Sequence, residues 1–325
     1  MDTSKFYEFD LGVSARINEI IEDTKDMAPN WMSYGIFDKV TPDSMIYRTK
    51  GVTGLGRTKK FAEGSTIIYD ETYPQYQTEY PMQQFGLGVT ISQLLMKTRP
   101  SELETKLDEV RQLRIAANES IEKNAWQIFV DAFVTTDSDS DSPTFRLDDA
   151  VSLISASHPS RVAGVAVRSN KVVSAGVTNP TLGETALFEA QRKIAEQLNG
   201  RGLPMNYNGG YLLLVPKALE KTAVEITKST KRSGTANNDL NYFEGTMDVV
   251  STTYIGAANG GSDTAWFLIA KDAPVKSLKY ASLIDPKIEK DTDFDTKTIK
   301  VSVDGAYAFG YSCWEYVVGS TGLLS

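Results

Sequence analysis

The stretch SELETKLDEVRQLRIAANESIEKNAWQIFVDAFV, residues 101–134, decides the fold. Leu103, Leu107, Val110, Leu113, Ala117, Ile121, Ala125, Ile128 and Ala132 recur at steps of three and four, so one apolar stripe runs its full length. Neither Gly nor Pro interrupts the pattern, which predicts a single helix reaching ~50 Å at ~1.5 Å per residue. Pro100 closes the preceding segment, and Ser101 with Glu104 has the S-x-x-E form of a capping box. Just upstream, from about Ile46 to Ile91, lies a Tyr- and Gly-rich strand-forming stretch with too few large aliphatics to build a core alone. A long strut beside a projecting β-arm is the anatomy of an assembling subunit more than of an enzyme.

The whole chain sets outer bounds. Its 325 residues, 41% hydrophobic and 23% charged, are ordinary for a soluble globular protein of one large or two smaller lobes. No apolar run approaches the ~18 residues of a membrane span, and Met1 to Asp10 lacks the basic-then-apolar order of a signal peptide. Cys313 is the only cysteine, which rules out an intramolecular disulfide and points to a reducing compartment. A net charge of −8 argues against general nucleic-acid binding by the whole surface. One histidine and one cysteine exclude the usual His/Cys metal clusters, so neither a cofactor nor a metal is expected. His158 sits in Ser157-His158-Pro159 and reads as a structural turn residue, not a general base. No residue is expected to be catalytic, and the protein is read as a non-enzyme.

Along the chain, residues 1–44 read as an arm with one short helix. Ser14 is placed to cap a segment whose Ile17, Ile20, Ile21 and Thr24 share a face, and Pro29 ends it. Trp31, Tyr34, Ile36 and Phe37 then offer adhesive apolar surface. From Met45 to Ala62 there is no acidic residue, while Arg48, Lys50, Arg57, Lys59 and Lys60 are basic and Gly51, Gly54 and Gly56 punctuate the run. A Gly-rich basic loop can cradle phosphate, but G-x-x-G-x-G is not a Walker pattern and no helix-forming stretch follows, so an extended hairpin tip is expected. Tyr69, Tyr73, Tyr76 and Tyr80 belong to edge-type strands, because Pro74, Pro81 and the β-formers around Ile67 override their helical spacing. Asp137, Asp139 and Asp141 resemble the start of a calcium loop, but Ser142 replaces the required Gly and Pro143 follows, so a solvated acidic loop is expected.

The next block reads α/β. Thr181 with Glu184 forms a second capping box, and Leu187, Ala190, Ile194 and Leu198 share a face that ends at Gly200. Tyr211 to Val215 is a wholly apolar central strand, and Pro216 opens a helix with Leu219, Ala223 and Ile226 inward. Asp248–Ile255 and Ala265–Ile269 add strands around Gly260-Gly261. Ile299, Val301, Val303, Tyr307, Phe309, Tyr311 and Cys313 alternate along a last strand, interrupted at Asp304-Gly305 by a bulge, bend or turn, which makes Cys313 a buried sheet residue.

In order and spacing around the long helix, these blocks resemble the major capsid proteins of tailed bacteriophages with the Hong-Kong-97-type fold, especially the Mu-like major head subunits. The resemblance runs through roughly residues 48–315. It is carried by Gln84-Phe-Gly-Leu-Gly-Val-Thr-Ile91, Ser157-His-Pro159, Asn206–Leu212 leading into Leu213-Leu-Val-Pro-Lys-Ala-Leu-Glu220, Asp248–Tyr254, and Val303-Asp-Gly-Ala-Tyr-Ala-Phe-Gly310 with Trp314. It implies an α+β fold in parts: an N-arm at 1–44 and a β-hairpin E-loop at 45–91 that lies across a neighbouring subunit. The peripheral domain follows at 92–150 with its spine helix at 101–134, then an α/β axial domain at 151–270 and returning strands at 271–325.

The implied function is a major head protein that self-assembles into hexamers and pentamers of an icosahedral shell around double-stranded DNA, without sequence-specific binding and without a membrane. The implied partners are further copies of itself, a portal protein, a decoration protein and, since only about 44 residues precede the E-loop, a separate scaffolding protein. The implied location is the virion capsid, assembled in the host cytoplasm. Arg48, Lys50, Arg57, Lys59, Lys60, Trp31 and Phe37 are the expected intersubunit contacts. Some relatives cross-link Lys to Asn; Lys59 or Lys60 is suitably placed, but no partner Asn is identifiable. Two alternatives stand beside this reading: an encapsulin-type nanocompartment shell, and an enzyme binding a nucleotide through the Gly51–Lys60 loop.

Overall fold

A computed structural model describes residues 3–24, 27–67, 69–231, 240–293 and 295–323. The N-terminal half comprises helices α1 (Thr3–Thr24) and α2 (Trp31–Tyr34), strands β1 (Phe37–Val40), β2 (Ile46–Val52), β3 (Pro74–Pro81) and β4 (Gln83–Ser92), and helices α3 (Gln93–Thr98) and α4 (Pro100–Val130). Short strands β5 (Thr144–Phe145), β6 (Val173–Ser174) and β7 (Val177–Thr178) lead to α5 (Glu184–Ala195), β8 (Tyr211–Pro216), α6 (Glu220–Lys228), β9 (Met247–Thr252) and β10 (Trp266–Ala270). The chain closes with β11 (Leu278–Asp293), β12 (Thr298–Tyr311) and β13 (Val317–Ser320).

Two sheets, one projecting hairpin and the small antiparallel β6–β7 pair follow from these strands. The larger sheet runs β1-β11-β12-β4, with β5 paired to β12; the β11–β12 and β12–β4 pairs are antiparallel, and β1 lies parallel to β11. The second sheet runs β13-β10-β8-β9. Strands β2 and β3 form a separate two-stranded ribbon, joined to the body by an isolated antiparallel bridge between Thr78 and Leu147.

The long helix is the strut that the apolar stripe requires. Its first half buries Leu103, Leu107, Val110 and Leu113 between Val13, Ile17 and Ile20 of α1 and Ile91, Ile299, Val301 and Val303 of the larger sheet. Its second half sends Ile121, Ala125, Ile128 and Phe129 into the main core, where they meet side chains of both sheets. Strand β8 divides its side chains by the period of two that any strand imposes: Leu212 and Leu214 face the main core, while Leu213 and Val215 face a second core closed by α5 and α6. A strand buried on both faces has no polar side to show, hence its unbroken apolar sequence.

Several local expectations are overridden by tertiary contacts. Helix α4 stops at Val130 and not at 134, because Asp131 accepts from the Ser138 backbone N–H and the Gln127 amide, and the Ala132 carbonyl accepts from Ile154 N. The Ser101–Glu104 box does not form. Arg99 is the N-cap, without a side-chain cap bond, and the Glu104 carboxylate takes both Arg16 nitrogens at 2.7 Å. Ser14 is no cap either; it lies inside α1, which is far longer than expected, and accepts from Lys290. The second box at Thr181 is also absent: Gly183 caps α5, and the helix ends at Ala195, leaving Leu198 to bridge Pro204. Pro216 ends β8, and a 3-10 turn, Lys217–Leu219, precedes α6.

Trp31 and Phe37, expected as adhesive surface, are core residues of their own chain. Their rings sit 4.8 Å apart, each 5.6 Å from Phe309, and Trp31 is 5.2 Å from Tyr280. Such edge-on aromatic contacts add about 0.5–1.5 kcal/mol per pair beyond area burial. Strand β12 is continuous through Asp304-Gly305. The irregularity lies across from it in β11, between Ser282 and Lys287, and a Cβ on Gly305 would come within 2.7 Å of the Pro286 ring. Gly305 is therefore a close-approach residue, not a turn. Strand β11 itself was not legible in the sequence.

Candidate assembly surfaces

The hairpin β2–β3 leaves the body at a firm base. Tyr80 is fully buried with its ring 5.6 Å from Tyr47, and Thr78 Oγ donates to the Tyr311 carbonyl at 2.8 Å. Pairing runs from Ile46–Pro81 to Lys50–Gln77, and Thr53 and Tyr73 close it with a backbone bond of 2.9 Å. Beyond that pair the described chain is irregular out to residue 73, and Leu55, Phe61, Ile67 and Tyr69 are exposed, Tyr69 by 88%. Residues 83–92, grouped with this loop in the sequence reading, instead run along β12 as β4.

The basic residues singled out from the sequence are spread along this arm. Arg48 pairs with Glu79 on the facing strand at 2.7 Å, Lys50 is exposed on β2, Arg57 and Lys59 flank an open cleft of about 760 Å³ beneath the tip, and Lys60 is exposed. They do not converge, and among the described residues no helix begins between them and Gln93, so the Gly51–Lys60 stretch does not have the geometry of a nucleotide loop.

What seats the tip on the body is a residue the sequence did not single out. The turn 199–203 is tied by Asn199 Oδ1, which accepts from Arg201 N and Leu203 N at 2.9 and 3.0 Å. From it the Arg201 fork takes both oxygens of Asp70 and donates to the Glu71 carbonyl at 2.5 Å, with its guanidinium carbon 5.0 Å from the Tyr73 ring centroid. The bidentate pair holds the Asp70 carboxyl well below the usual carboxylate range, helped by the Gly56 N–H at 2.6 Å. The end of the Gln75 side chain on the arm lies against Gly200, where an added Cβ would require it to move. Lower on the arm, Arg161 lies 4.5 Å from the Tyr76 ring centroid and binds Asp148 at 2.6 Å, while Asp148 Oδ1 accepts from Gln77 N. Asp70 and Arg201 stand 131 positions apart, so no spacing rule could have paired them.

A second exposed apolar group lies at the far end of the α5–α6 unit, where Phe188, Leu240 and Tyr242 are exposed and the Phe188 and Tyr242 rings are 6.0 Å apart. The other sequence candidates have structural partners. Asp139 pairs with Lys123 at 2.5 Å and Asp137 with Arg146 at 2.6 Å. Cys313 lies past the end of β12, half-buried, with Sγ 3.3 Å from Ser277 Oγ. His158 is fully buried in an isolated antiparallel bridge with Arg168. Among the described residues no helix is long and apolar enough to cross a membrane, and no cluster of three His, Cys, Asp or Glu is placed to hold a metal.

The comparisons with known proteins agree on this architecture. A family model described as phage capsid protein matches residues 75–317. No curated protein matches by sequence. Among solved structures, one from Mycobacterium phage Patience aligns over 97% of this chain and 86% of its own, with 9% identity and a TM-score of 0.52. The capsid of Ralstonia phage GP4 aligns over 88% and 87%, with 10% identity and a TM-score of 0.51. The capsid of an empty GTA particle aligns over 87% and 86%, with 13% identity and a TM-score of 0.50. At these identities the likenesses establish the Hong-Kong-97-type fold, and the family match favours the viral reading over the nanocompartment one. The chain thus belongs to the phage capsid protein family, as a major head protein of the tailed-bacteriophage kind.

Proposed function

We propose that copies of this chain assemble as hexamers and pentamers into a closed icosahedral shell around double-stranded DNA, with the β2–β3 arm as the E-loop laid across a neighbouring copy. The observation that carries this is the arm itself: a two-stranded ribbon without a core, with Leu55, Phe61, Ile67 and Tyr69 in solvent. A ribbon of two strands is marginal alone, and apolar residues gathered at its tip are the mark of a surface awaiting a partner. Closure of a shell requires several heterologous contacts per subunit, which a reaching arm supplies.

In this scheme residues 1–44 are the N-arm, 45–81 the E-loop, 82–150 the peripheral domain with β4 in its sheet and α4 as spine, 151–270 the axial domain and 271–325 the returning strands. The patch at Phe188 and Tyr242 then belongs to the axial contacts. Arg48, Lys50, Arg57, Lys59 and Lys60 meet the neighbour along the arm. A portal protein, a separate scaffolding protein and a decoration protein complete the set of partners, and assembly takes place in the host cytoplasm. The work is structural: burial of surface between copies supplies the free energy, and no chemical step is needed.

The test is to replace residues 55–69 by a short Gly-Ser link and examine the product by electron microscopy with a candidate scaffold. The expected result is a folded subunit, with unchanged far-ultraviolet circular dichroism, that forms no closed shells. Normal particles from this variant would remove the E-loop assignment.

A further inference from the structure

The arm touches its own body at three levels. Near the base, Thr78 bridges Leu147, and one step out Asp148 N donates to the Gln77 carbonyl at 2.9 Å while Asp148 Oδ1 accepts from Gln77 N at 2.8 Å. Farther out, Arg161 joins Asp148 to the Tyr76 ring. At the tip stands Arg201: among the described residues between 54 and 72, every hydrogen bond received from the body comes from its guanidinium. Burial holds the tip only weakly, because the cleft of about 760 Å³ separates it from Val162, Arg201 and Leu203.

Both ends of this contact are built to be stiff. The Arg201 turn is closed by Asn199 N on the Leu203 carbonyl at 2.8 Å and Gly202 N on the Asn199 carbonyl at 2.9 Å, with Gly202 in the left-handed region at φ 76°. Ser160 Oγ donates to the Gly200 carbonyl at 2.8 Å and ties the turn to the preceding loop. On the arm, the same Asp70 Oδ2 that meets Arg201 also accepts from Gly56 N, so the two legs of the tip are drawn together at that point. A lysine at 201 keeps the charge but has no planar fork to take two carboxylate oxygens and a carbonyl while lying on the Tyr73 ring.

We propose, resting on the reading of the arm as the E-loop, that Arg201 is the positioning residue of assembly: its clasp on Asp70 and Glu71 sets the angle of the tip in the free subunit, so that a neighbouring copy meets an arm already in place. The clasp does not hide the tip. Leu55, Phe61, Ile67 and Tyr69 all remain more than half exposed with it closed, whereas a self-blocking contact would cover them. A loose tip has to be ordered when the neighbour binds, and the freedom lost then weakens association; a tip ordered beforehand avoids that loss. The turn that carries Arg201 lies between α5 and β8, so the direction of the arm follows that unit of the fold.

Two measurements test the clasp: hydrogen–deuterium exchange of dispersed subunits, read on peptides spanning Gly54 to Ile67, and the lowest subunit concentration that gives closed shells with a scaffold. Arg201→Ala and Asp70→Asn should each speed exchange in those peptides and raise the threshold about tenfold, with far-ultraviolet circular dichroism and melting temperature unchanged. Arg201→Lys should fall between them and wild type, and the double variant should be no worse than either single one. Unchanged tip exchange in Asp70→Asn, which alters the arm and leaves the body intact, would overturn the proposal. So would a threshold at or below that of wild type, the lower value marking the clasp as a brake. If these variants assemble normally while the subunit lacking residues 55–69 forms no shells, the clasp fails and the E-loop reading stands. Normal shells from that shortened subunit would remove the E-loop reading and the proposal with it.

Discussion

Burial pushes the Cys313 thiol up to about 12 from an ordinary 9.0, with Glu315 adding in the same direction and Ser277 opposing. The thiolate is the reactive form, so at about pH 8.5 the native protein should carry much less of it than a free cysteine. Mass spectrometry of iodoacetamide-treated native subunits should show Cys313 unmodified under conditions that label it fully in urea. Rapid native labelling would show the sulfur to be open. The linked sign is the same at the level of stability: a raised folded value means protection that is complete below about 9 and lost as pH climbs toward about 12. In the sequence Cys313 continues the alternation of Tyr307, Phe309 and Tyr311 and so reads as a buried sheet residue. Its departure from the strand was not readable, because the chain bends there to carry Trp314 onto His158.

At the scale of the element, α4 is where periodicity and structure agree best. Leu107 is buried between α1 and the larger sheet, whereas Glu119 is exposed on the same helix. Leu107→Asp places an unpaired carboxylate in that seam and should cost more than about 3 kcal/mol, read as insoluble expression or a collapsed urea midpoint. Glu119→Ala should stay within about 0.5 kcal/mol of wild type. Equal behaviour of the two variants would mean that the helix is not packed this way. The apolar stripe could be read because a helix repeats its geometry at every turn. The ends could not: Arg16 drew Glu104 away from its box, and Asp131 spent its carboxylate on Ser138. A cap is worth about 1 kcal/mol, and a single tertiary bond of that size displaces it.

For the molecule as a whole, the main core is shared by both sheets: Phe129 of α4 lies 5.1 Å from Phe267 of β10, while Ile121 and Ala125 join Tyr280 and Tyr307 of the larger sheet in the same cluster. Dispersed subunits should therefore melt in one calorimetric transition, and Phe267→Ala should lower it as a unit, by about 3–5 kcal/mol. Two resolved transitions, only one of them moved by that variant, would mean that the sheets fold separately. The sequence by itself determined the long helix, the doubly buried strand β8, the alternating strand β12 and the poverty of the arm, since each is written in a local repeat of apolar positions. Only the tertiary structure decided that Trp31 and Phe37 face inward, that Arg201 receives Asp70, and that His158 stands between Asp149 and Asn170. Those pairings join side chains brought together by the crossing of elements, and a contact of that kind leaves no period in the chain to be read.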